Sequence, residues 1–224
     1  MLTIALPKGR LQAPALAQFA LAGLVPEEEP GSSRKLIVPA RGAQARFLVL
    51  KDGDVPLYVE RGAADLGVCG LDQLLESGAD VLAPIDLGFG RCRLCLAAPR
   101  SRTGAAPANA DAAFASLADS AEPGRSLRIA TKYPRLAARA FARRGVPVDL
   151  VTLSGSVELA AVAGLADAIV DLVESGRTLE ENGLAVVADI LQVSARLIVN
   201  RAAYRLKLTE LLPLLARLAP GSAP

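Results

Sequence analysis

Short apolar runs typical of buried strands alternate with helical patterns along most of this 224-residue sequence. The strand pattern LTIALP at 2–7 precedes a helical pattern at 10–23, and ADLGVCG at 64–70 precedes another at 71–78. A second series begins at 127–133. Strands that each lead into a helix favour parallel pairing through right-handed crossovers. The alternation therefore predicts an α/β fold whose strands are covered by helices on both faces.

Two longer extended patterns, at 81–99 and 184–200, interrupt this alternation. A stretch of that length can leave one sheet and enter another, as happens in two-lobed proteins. We therefore predict a first lobe from 1–89 and 189–224 and a second lobe from 90–188. Ligands are expected in the cleft between the lobes, at the carboxyl ends of strands.

Composition limits the environment of the chain. Hydrophobic residues make up 52% of it and aromatic residues 4%, so the core must be built from Ala, Leu and Val. No apolar run reaches the roughly 18 residues that a membrane span requires, and the N-terminal apolar run is too short for a secretory signal. We expect a cytoplasmic protein. Residues 101–126, rich in Ala, Ser, Pro and Gly, are predicted to be a surface connection with a loose helix.

The polar composition excludes several functions. The balance of 25 Lys and Arg against 23 Asp and Glu does not favour a nucleic-acid partner. The chain has no histidine, which excludes Ser-His-Asp and Cys-His catalysis and any histidine-ligated metal. Three cysteines, Cys69, Cys92 and Cys95, are an odd number that argues against a disulfide framework. We expect them to be buried core residues.

The stretch DAIVDLVESGRTL at 167–179 predicts a strand that ends in a glycine-centred turn. Gly176 allows a close backbone approach, and successive N–H groups before a helix can form a concave anion site. The turn also offers two hydroxyls and a cation, from Ser175, Thr178 and Arg177. A monoester phosphate fits such a site, and Asp171 could accept hydrogen bonds from sugar hydroxyls beside it.

An ordinary strand-to-helix turn explains the same residues equally well. The sequence contains neither the G-x-x-x-x-G-K-[ST] pattern nor a G-x-G-x-x-G after the first strand. A nucleotide-binding P-loop or a dinucleotide-dependent dehydrogenase is therefore disfavoured.

Several further motifs occur together and in order. They are IALPKGRL, DVPLYVERGAADLGVCGLDQLLE, DLGFGRCRL, RIATKYP, GSVELAAVAGLADAIVDLVESGRTLEENGL and SARLIVN. Together they resemble the ATP phosphoribosyltransferase family, which performs the first step of histidine biosynthesis, along nearly the whole chain apart from 101–126. Cys69, Leu71 and Ala161 depart from the usual family residues, but none of them removes a phosphate donor.

This resemblance implies a two-lobed α/β fold of the periplasmic-binding-protein-like (type II) class, with a central cleft and two crossover strands. The chain is similar to the short form of the family, which lacks a C-terminal regulatory domain. The short form implies a homodimer, and a hetero-octamer with a regulatory subunit resembling histidyl-tRNA synthetase.

The implied reaction joins N1 of the ATP adenine to C1′ of 5-phosphoribosyl-1-pyrophosphate (PRPP) and releases pyrophosphate. Adenine N1 already carries a lone pair, so positioning and electrostatic stabilisation suffice without a general base. By similarity, Arg10 and Arg34 neutralise the pyrophosphate, and one of the two could act across a dimer interface. Lys8 is expected to assist catalysis and to contact ATP. Solvated surface charges are the alternative for all three.

The resemblance also assigns the PRPP contacts, which are Glu158, Asp171, Glu174, Ser175, Gly176, Arg177, Thr178 and Leu179. Mg²⁺ is expected to bind mainly to the pyrophosphate of PRPP, without a protein metal site. Asp72 is a candidate ATP contact, although it could instead cap a helix, and Glu158 could equally be an acid in a first helical turn. Lys132 and Tyr133 have a weaker claim.

Two other functions remain open at this stage. The chain could be a two-lobed ligand-binding module, since fold does not fix function. It could also be a phosphoribosyltransferase that uses another base. Incubation with ATP, PRPP and Mg²⁺ distinguishes the three.

Overall fold

The computed structural model describes residues 1–31, 34–42, 44–103, 109–120 and 124–219. The chain divides into two compact units. Unit 1 consists of Met1–Arg91 and the segment from Ser194 onward, and unit 2 consists of Cys92–Val193. Each unit is built around its own sheet.

Strands and helices alternate along most of the described chain. The strands are β1 Leu2–Pro7, β2 Ile37–Pro39, β3 Ala45–Leu50, β4 Leu66–Gly70, β5 Leu82–Asp86, β6 Cys92–Pro99, β7 Leu127–Thr131, β8 Val148–Thr152, β9 Ala168–Val173, β10 Leu184–Val193 and β11 Ala195–Val199. The helices are α1 Gln12–Leu21, α2 Val55–Glu60, α3 Leu71–Ser77, α4 Ala110–Asp119, α5 Pro134–Ala142, α6 Val157–Val162, α7 Arg177–Glu181, α8 Arg201–Leu206 and α9 Leu208–Leu218.

The sheet of unit 1 has the order β2-β3-β1-β4-β11-β5. Its centre is parallel, because β1 pairs in parallel with both β3 and β4. The prediction of parallel strands fails for the rest: β2 pairs antiparallel with β3, and β11 pairs antiparallel with β4 and β5. β11 follows another strand without a crossover helix, so the geometry that imposes parallel pairing does not apply to it.

The sheet of unit 2 has the order β10-β6-β9-β7-β8. β7 pairs in parallel with both β8 and β9, whereas β6 pairs antiparallel with β9 and β10. Because β7, β8 and β9 run in the same direction, the segments that follow them emerge at one edge of the sheet. These segments include the predicted phosphate turn after β9.

Each long extended pattern resolves into two strands that belong to different sheets. The first becomes β5 and β6, separated by Gly88 and Gly90, which both have positive φ angles of 76° and 64°. The second becomes β10 and β11, separated at Ser194. The prediction that these stretches pass from one sheet to another is confirmed.

The helix predicted within 101–126 is present as α4, but it is packed within unit 2 rather than loose. The Asn109 side chain accepts a hydrogen bond from the Ala112 backbone N–H at 2.9 Å and caps the helix. Phe114 is fully buried, with its ring centroid 4.7 Å from that of Phe141. Phe114, together with buried Ala113 and Leu117, therefore anchors a helix whose alanine-rich sequence gave little sign of packing. Residues 104–108 and 121–123 lie outside the described residues.

The cysteine prediction is confirmed. Cys69, Cys92 and Cys95 are all buried, and each carries a thiol rather than a disulfide. Within the described ranges, no helix combines the length and apolar character needed to cross a membrane.

Candidate functional site

The turn after β9 depends on an unusual backbone conformation at Gly176. Gly176 has a φ of 82°, in the left-handed region that other residues rarely adopt. An added Cβ there would meet nothing closer than Val173 Cγ1, at 3.8 Å. The backbone angle therefore requires glycine, and the space beside it stays open for a ligand.

Polar groups around Gly176 face solvent. The side chains of Glu174, Ser175, Arg177 and Thr178 are exposed. The Arg177 backbone N–H donates to Ser175 Oγ at 3.4 Å, and the Glu180 N–H donates to the Gly176 carbonyl at 3.1 Å. Leu179 differs from its neighbours because its side chain is 5% exposed and packs in the core of unit 2. Leu179 therefore anchors the turn, and only its backbone could face a ligand.

Asp171 lies half-buried near the end of β9, just before the turn. Burial raises the pKa of its carboxyl group to about 6, and the negative charge of Glu158 adds to this shift. The Leu172 backbone N–H, which donates to Asp171 Oδ1 at 2.8 Å, and the charge of Lys132 act in the opposite direction. The structure thus brings Glu158, Asp171 and Lys132 together at one edge of the sheet.

Glu158 lies in the first turn of α6. The residue before this helix, Ser156, has a φ of 49°, and it is the one non-glycine residue in the described chain with a positive φ. Glu158 is therefore the acid of a first helical turn, and its charge also acts on Asp171. Its predicted contact with PRPP stays a prediction.

In unit 1, Lys8 and Arg34 line the same cavity, which has a volume of about 510 Å³. Lys8 directly follows β1, and its backbone N–H donates to the Leu50 carbonyl at 2.7 Å. Gln12 and Lys35 also line the cavity. This part of unit 1 therefore combines several cations around a space large enough for a phosphate chain.

Arg10 is not among the residues that line this cavity. Its Nη1 donates to the Gly90 carbonyl at 3.2 Å, within the same unit. Gly9, with a φ of 89°, turns the chain between Lys8 and Arg10. The structure therefore groups two of the three predicted catalytic cations and directs the third towards the segment that follows β5.

Asp72 is buried at the start of α3, with 3% of its surface exposed. Gln73 Nε2 donates to Asp72 Oδ2 at 3.2 Å. The carboxylate folds back over Gly70, where a Cβ would overlap Asp72 Oδ1. This position favours a structural role at the helix start over a contact with ATP.

A row of polar side chains beside Asp171 was not predicted from the sequence. Cys95 on β6 lies directly opposite Asp171 on one side and Asp189 of β10 on the other. The Cys95 thiol donates to Asp189 Oδ1 at 3.3 Å, and Arg93 Nη1 donates to the same oxygen at 3.0 Å. These side chains are neighbours because of the register between strands, which no local sequence motif indicates.

No group of three or more Asp, Glu or Cys in the described part of the chain is arranged to hold a metal ion.

Known proteins resemble this chain along its length. A family model described as ATP phosphoribosyltransferase matches residues 51–220. The relative named ATP phosphoribosyltransferase from Methylococcus capsulatus is 46% identical over 227 residues, which cover 100% of this chain and 98% of the relative. The one from Moorella thermoacetica is 46% identical over 222 residues, covering 98% and 93%.

Solved structures agree with these relatives. A chain of the ATP phosphoribosyl transferase (HisG:HisZ) complex from Thermotoga maritima superposes with a TM-score of 0.79 at 32% identity, covering 97% of this chain and 96% of that one. The VFT2 domain of BvgS from Bordetella pertussis superposes with a TM-score of 0.56 at 15% identity, covering 97% and 86%. The alkanesulfonate-binding protein SsuA from Xanthomonas axonopodis gives 0.52 at 16%, covering 97% and 72%. The last two share only the fold, which is periplasmic-binding-protein-like (type II), as predicted.

Proposed function

The chain belongs to the ATP phosphoribosyltransferase family, and we propose which of its residues bind the substrates and which stabilise the transition state. The protein is a pentosyltransferase that joins the phosphoribosyl group of PRPP to N1 of ATP and releases pyrophosphate, the first step of histidine biosynthesis. The roles below concern individual residues of this chain.

The turn after β9 binds the 5′-phosphate of PRPP. The observation that carries this assignment is Gly176, held in the left-handed region at the carboxyl end of a central strand, with exposed donors on either side. Backbone N–H groups in such a turn are oriented towards an anion. Further hydrogen bonds to the phosphate can come from the hydroxyls of Ser175 and Thr178 and from the guanidinium of Arg177. Glu174 is the residue at which the turn begins.

Asp171 and Glu158 orient the ribose. An ionised carboxylate accepts hydrogen bonds only, so it suits the two free ribose hydroxyls beside the phosphate. Asp171 lies on β9 three residues before Glu174, the first residue after the strand, which places it next to the proposed phosphate site. Glu158 shares this environment through its charge.

Cations of unit 1 act on the pyrophosphate and on ATP. Lys8 and Arg34 supply positive charge around one cavity. Arg10 supplies an exposed guanidinium that donates to the Gly90 carbonyl. A charge pair at about 4 Å contributes about 4 kcal/mol at an effective dielectric of 20, before desolvation. Because negative charge accumulates on the leaving pyrophosphate, these cations stabilise the transition state more than the ground state.

Mg²⁺ accompanies PRPP in this proposal. Pyrophosphate supplies the oxygen ligands that Mg²⁺ prefers, and the ion commonly retains several waters beside one or two carboxylates. Glu158, whose charge acts on Asp171, and Asp171 itself would orient the ion only indirectly. The bound ion would neutralise part of the pyrophosphate charge.

The protein acts with partners in this proposal. The Thermotoga maritima chain that it matches over 97% of its length belongs to a HisG:HisZ complex. We therefore propose a catalytic homodimer that assembles with a regulatory subunit resembling histidyl-tRNA synthetase, as a hetero-octamer. A cytoplasmic location follows from the two metabolites that it uses, ATP and PRPP.

The phosphate site is tested by Gly176→Val. A β-branched residue disfavours the left-handed conformation, so the turn should reorganise and PRPP binding should be lost. The matched control is Gly145→Val, since Gly145 also has a positive φ of 67°, also has open space for a Cβ, and follows α5 in the same unit. Calorimetric titration with PRPP and Mg²⁺ should show binding in the control only. Near-normal PRPP affinity in Gly176→Val would contradict the assignment.

Arg10→Ala tests the role at the leaving group. Loss of a cation that acts mainly in the transition state should lower the chemical rate by about 10²–10³-fold, with a much smaller effect on PRPP affinity. Single-turnover formation of phosphoribosyl-ATP measures the rate, and calorimetry measures the affinity. Arg61→Ala, at a side chain that is 76% exposed in the same unit, is the control. Equal losses in rate and affinity would assign Arg10 to binding instead.

A further inference from the structure

Asp86, the last residue of β5, bonds two segments that are distant in the sequence. Its Oδ1 accepts a hydrogen bond from the Gly88 backbone N–H at 2.9 Å. Its Oδ2 accepts one from the Ser194 hydroxyl at 3.0 Å and pairs with Arg196 Nη2, also at 3.0 Å. Arg196 is the residue opposite Asp86 in the register between β5 and β11. One carboxylate oxygen therefore binds the segment after β5, and the other binds residues around the start of β11.

The surroundings of Asp86 favour its ionised form. Burial acts to raise its pKa, whereas the hydrogen bonds from Gly88 and Ser194 act to lower it. The positive charges of Arg196 and Arg91 also lower it, and together these groups hold the pKa below its ordinary value. The hydrogen bond from Gly88 is therefore charge-assisted, which makes it stronger than a bond between neutral groups.

The segment after Asp86, residues 87–91, is also bonded to β11 through its backbone. The Leu87 N–H donates to the Ala195 carbonyl at 2.9 Å, and the Ala195 N–H donates to the Phe89 carbonyl at 2.9 Å. The Leu87 side chain is buried in the core of unit 1, and Phe89 packs against the same core. These contacts hold the segment against the start of β11.

Gly90 connects this segment to the loop that carries Arg10. The Gly90 carbonyl accepts the hydrogen bond from Arg10 Nη1 at 3.2 Å. A guanidinium has five N–H donors, and this bond uses one of them. The Gly90 Cα lies against the buried side chain of Leu11, where an added Cβ would overlap Leu11 Cδ2. A displacement of Gly90 would therefore act on both Arg10 and Leu11.

We propose that Asp86 is a positioning residue for Arg10, because its carboxylate holds the segment whose Gly90 carbonyl accepts the hydrogen bond from the Arg10 guanidinium. The inference rests on the role proposed above for Arg10 at the leaving pyrophosphate. Asp86 acts through Gly88 and Gly90, and not by direct contact with the substrates. A catalytic group that is misplaced by about 1 Å can cost about 10²-fold in rate, so the loss of Asp86 should lower the rate of the chemical step.

The test is a double-mutant cycle between Asp86→Ala and Arg10→Ala, measured as the single-turnover rate of phosphoribosyl-ATP formation. The Asp86 side chain is 45% exposed, so its truncation should leave the fold intact. Asp86→Ala alone should lower the rate by about 10–10²-fold. In the Arg10→Ala background the same change should cost less than about twofold, because the group that Asp86 positions is gone. Equal factors in the two backgrounds, or a wild-type rate in Asp86→Ala alone, would overturn the inference.

Asp86→Asn tests whether the bond to Gly88 is the one that matters. The amide retains an oxygen that can accept the Gly88 N–H, and its nitrogen can donate to the Ser194 hydroxyl. This variant should therefore keep the rate within about threefold of wild type. A loss as large as that of Asp86→Ala would overturn the role of the Gly88 bond, and the inference with it.

A matched control and a second readout separate positioning from stability. Asp80 of the same unit also pairs with an arginine, at 2.7 Å from Arg201 Nε, and its side chain is 72% exposed. Asp80→Ala should keep the wild-type rate. PRPP affinity, measured by calorimetry, should be almost unchanged in Asp86→Ala, because Arg10 acts mainly in the transition state. A variant Asp86→Ala that loses free energy of unfolding in urea but keeps its rate would show a structural role only.

The cycle also distinguishes failure of the inference from failure of the function proposed for Arg10. A slow Arg10→Ala variant, combined with an independent effect of Asp86→Ala, overturns only the role of Asp86. A wild-type rate in Arg10→Ala overturns the role of Arg10 at the leaving group, and the inference fails with it.

Discussion

Asp167 and Asp171 stand four positions apart, near opposite ends of β9, and their surroundings differ in almost every respect. Asp167 is 2% exposed. Its Oδ1 forms ion pairs with Arg125 Nη2 at 2.9 Å and with Arg102 Nη2 at 3.3 Å. The Arg128 backbone N–H donates to Oδ2 at 2.9 Å. Asp171 has one hydrogen bond from the adjacent Leu172 N–H and a negative neighbour in Glu158.

The pKa values express this difference. Burial alone would raise the pKa of Asp167, but hydrogen bonds from Arg128 and Arg125 outweigh it and hold the pKa below its ordinary value. Burial prevails at Asp171 and raises its pKa to about 6. A buried carboxylate whose oxygens accept hydrogen bonds from several donors stabilises the fold. A buried carboxylate with few donors can accept further hydrogen bonds from a ligand. Asp167, at the start of β9, therefore has a structural role, and Asp171, near its end, is the carboxylate suited to bind a ligand.

Asp167→Asn should produce the largest effect on stability. Removing one member of a buried ion network leaves the arginines uncompensated, and we expect a loss of about 3 kcal/mol in the free energy of unfolding. Because the pKa of Asp167 is lowered on folding, its contribution is present at neutral pH and disappears as the pH falls through the folded-state pKa. Urea denaturation at pH 7 measures the change.

Asp111→Asn is the matched control for Asp167→Asn. Asp111 also pairs with an arginine, at 2.7 Å from Arg144 Nε, but its side chain is 78% exposed. An exposed pair of this kind contributes at most about 1 kcal/mol. Similar losses in the two variants would remove the structural distinction drawn for Asp167.

Asp171→Asn should act in the opposite sense on stability. The pKa of Asp171 is raised from its ordinary value near 4 to about 6 on folding, so its ionisation weakens folding progressively as the pH rises from about 4 to about 6 and by a constant amount above that. The neutral amide removes this cost, so the variant should gain about 2 kcal/mol in the free energy of unfolding at pH 8 and much less at pH 4.5. PRPP affinity should fall at least about tenfold, which corresponds to about 1.4 kcal/mol. A loss of stability in Asp171→Asn at pH 8 would mean that Asp171, like Asp167, stabilises the fold.

The pH dependence of PRPP binding gives the smallest expected effect. PRPP itself titrates near pH 6, so the informative quantity is the ratio of the wild-type to the Asp171→Asn affinity. With a pKa of about 6 for Asp171, this ratio should fall about tenfold between pH 8 and pH 5. Calorimetry in buffers of equal ionic strength measures it. A flat ratio would mean that the protonation state of Asp171 does not matter to binding.

Features set by local sequence were predictable. The strand that ends in Glu174-Ser175-Gly176 appears as β9 followed by a turn, because apolar alternation and a glycine with a positive φ are local properties. β7, with its helix α5 beginning at Pro134, was predicted for the same reason. These elements carry the proposed PRPP site, so its location within unit 2 could be inferred before any coordinates.

Features set by tertiary contacts were not predictable. The proximity of Cys95 to Asp189 depends on antiparallel register and on irregular pairing along β10. The apolar spacing at 203–219 is that of one continuous amphipathic helix. In the structure the helix breaks at Lys207, whose Nζ donates to Asp65 Oδ2 at 2.8 Å and to the Met1 carbonyl at 3.1 Å. Both cases involve partners about a hundred residues or more away, which periodicity in one sequence cannot identify.

The most direct test of the central assignment is a crystal structure of the protein with PRPP and Mg²⁺. We expect oxygens of the 5′-phosphate within about 3 Å of backbone nitrogens in the turn around Gly176, with the ribose hydroxyls facing Asp171. A bound PRPP whose sugar and phosphate lie elsewhere, with this turn empty, would contradict the assignment.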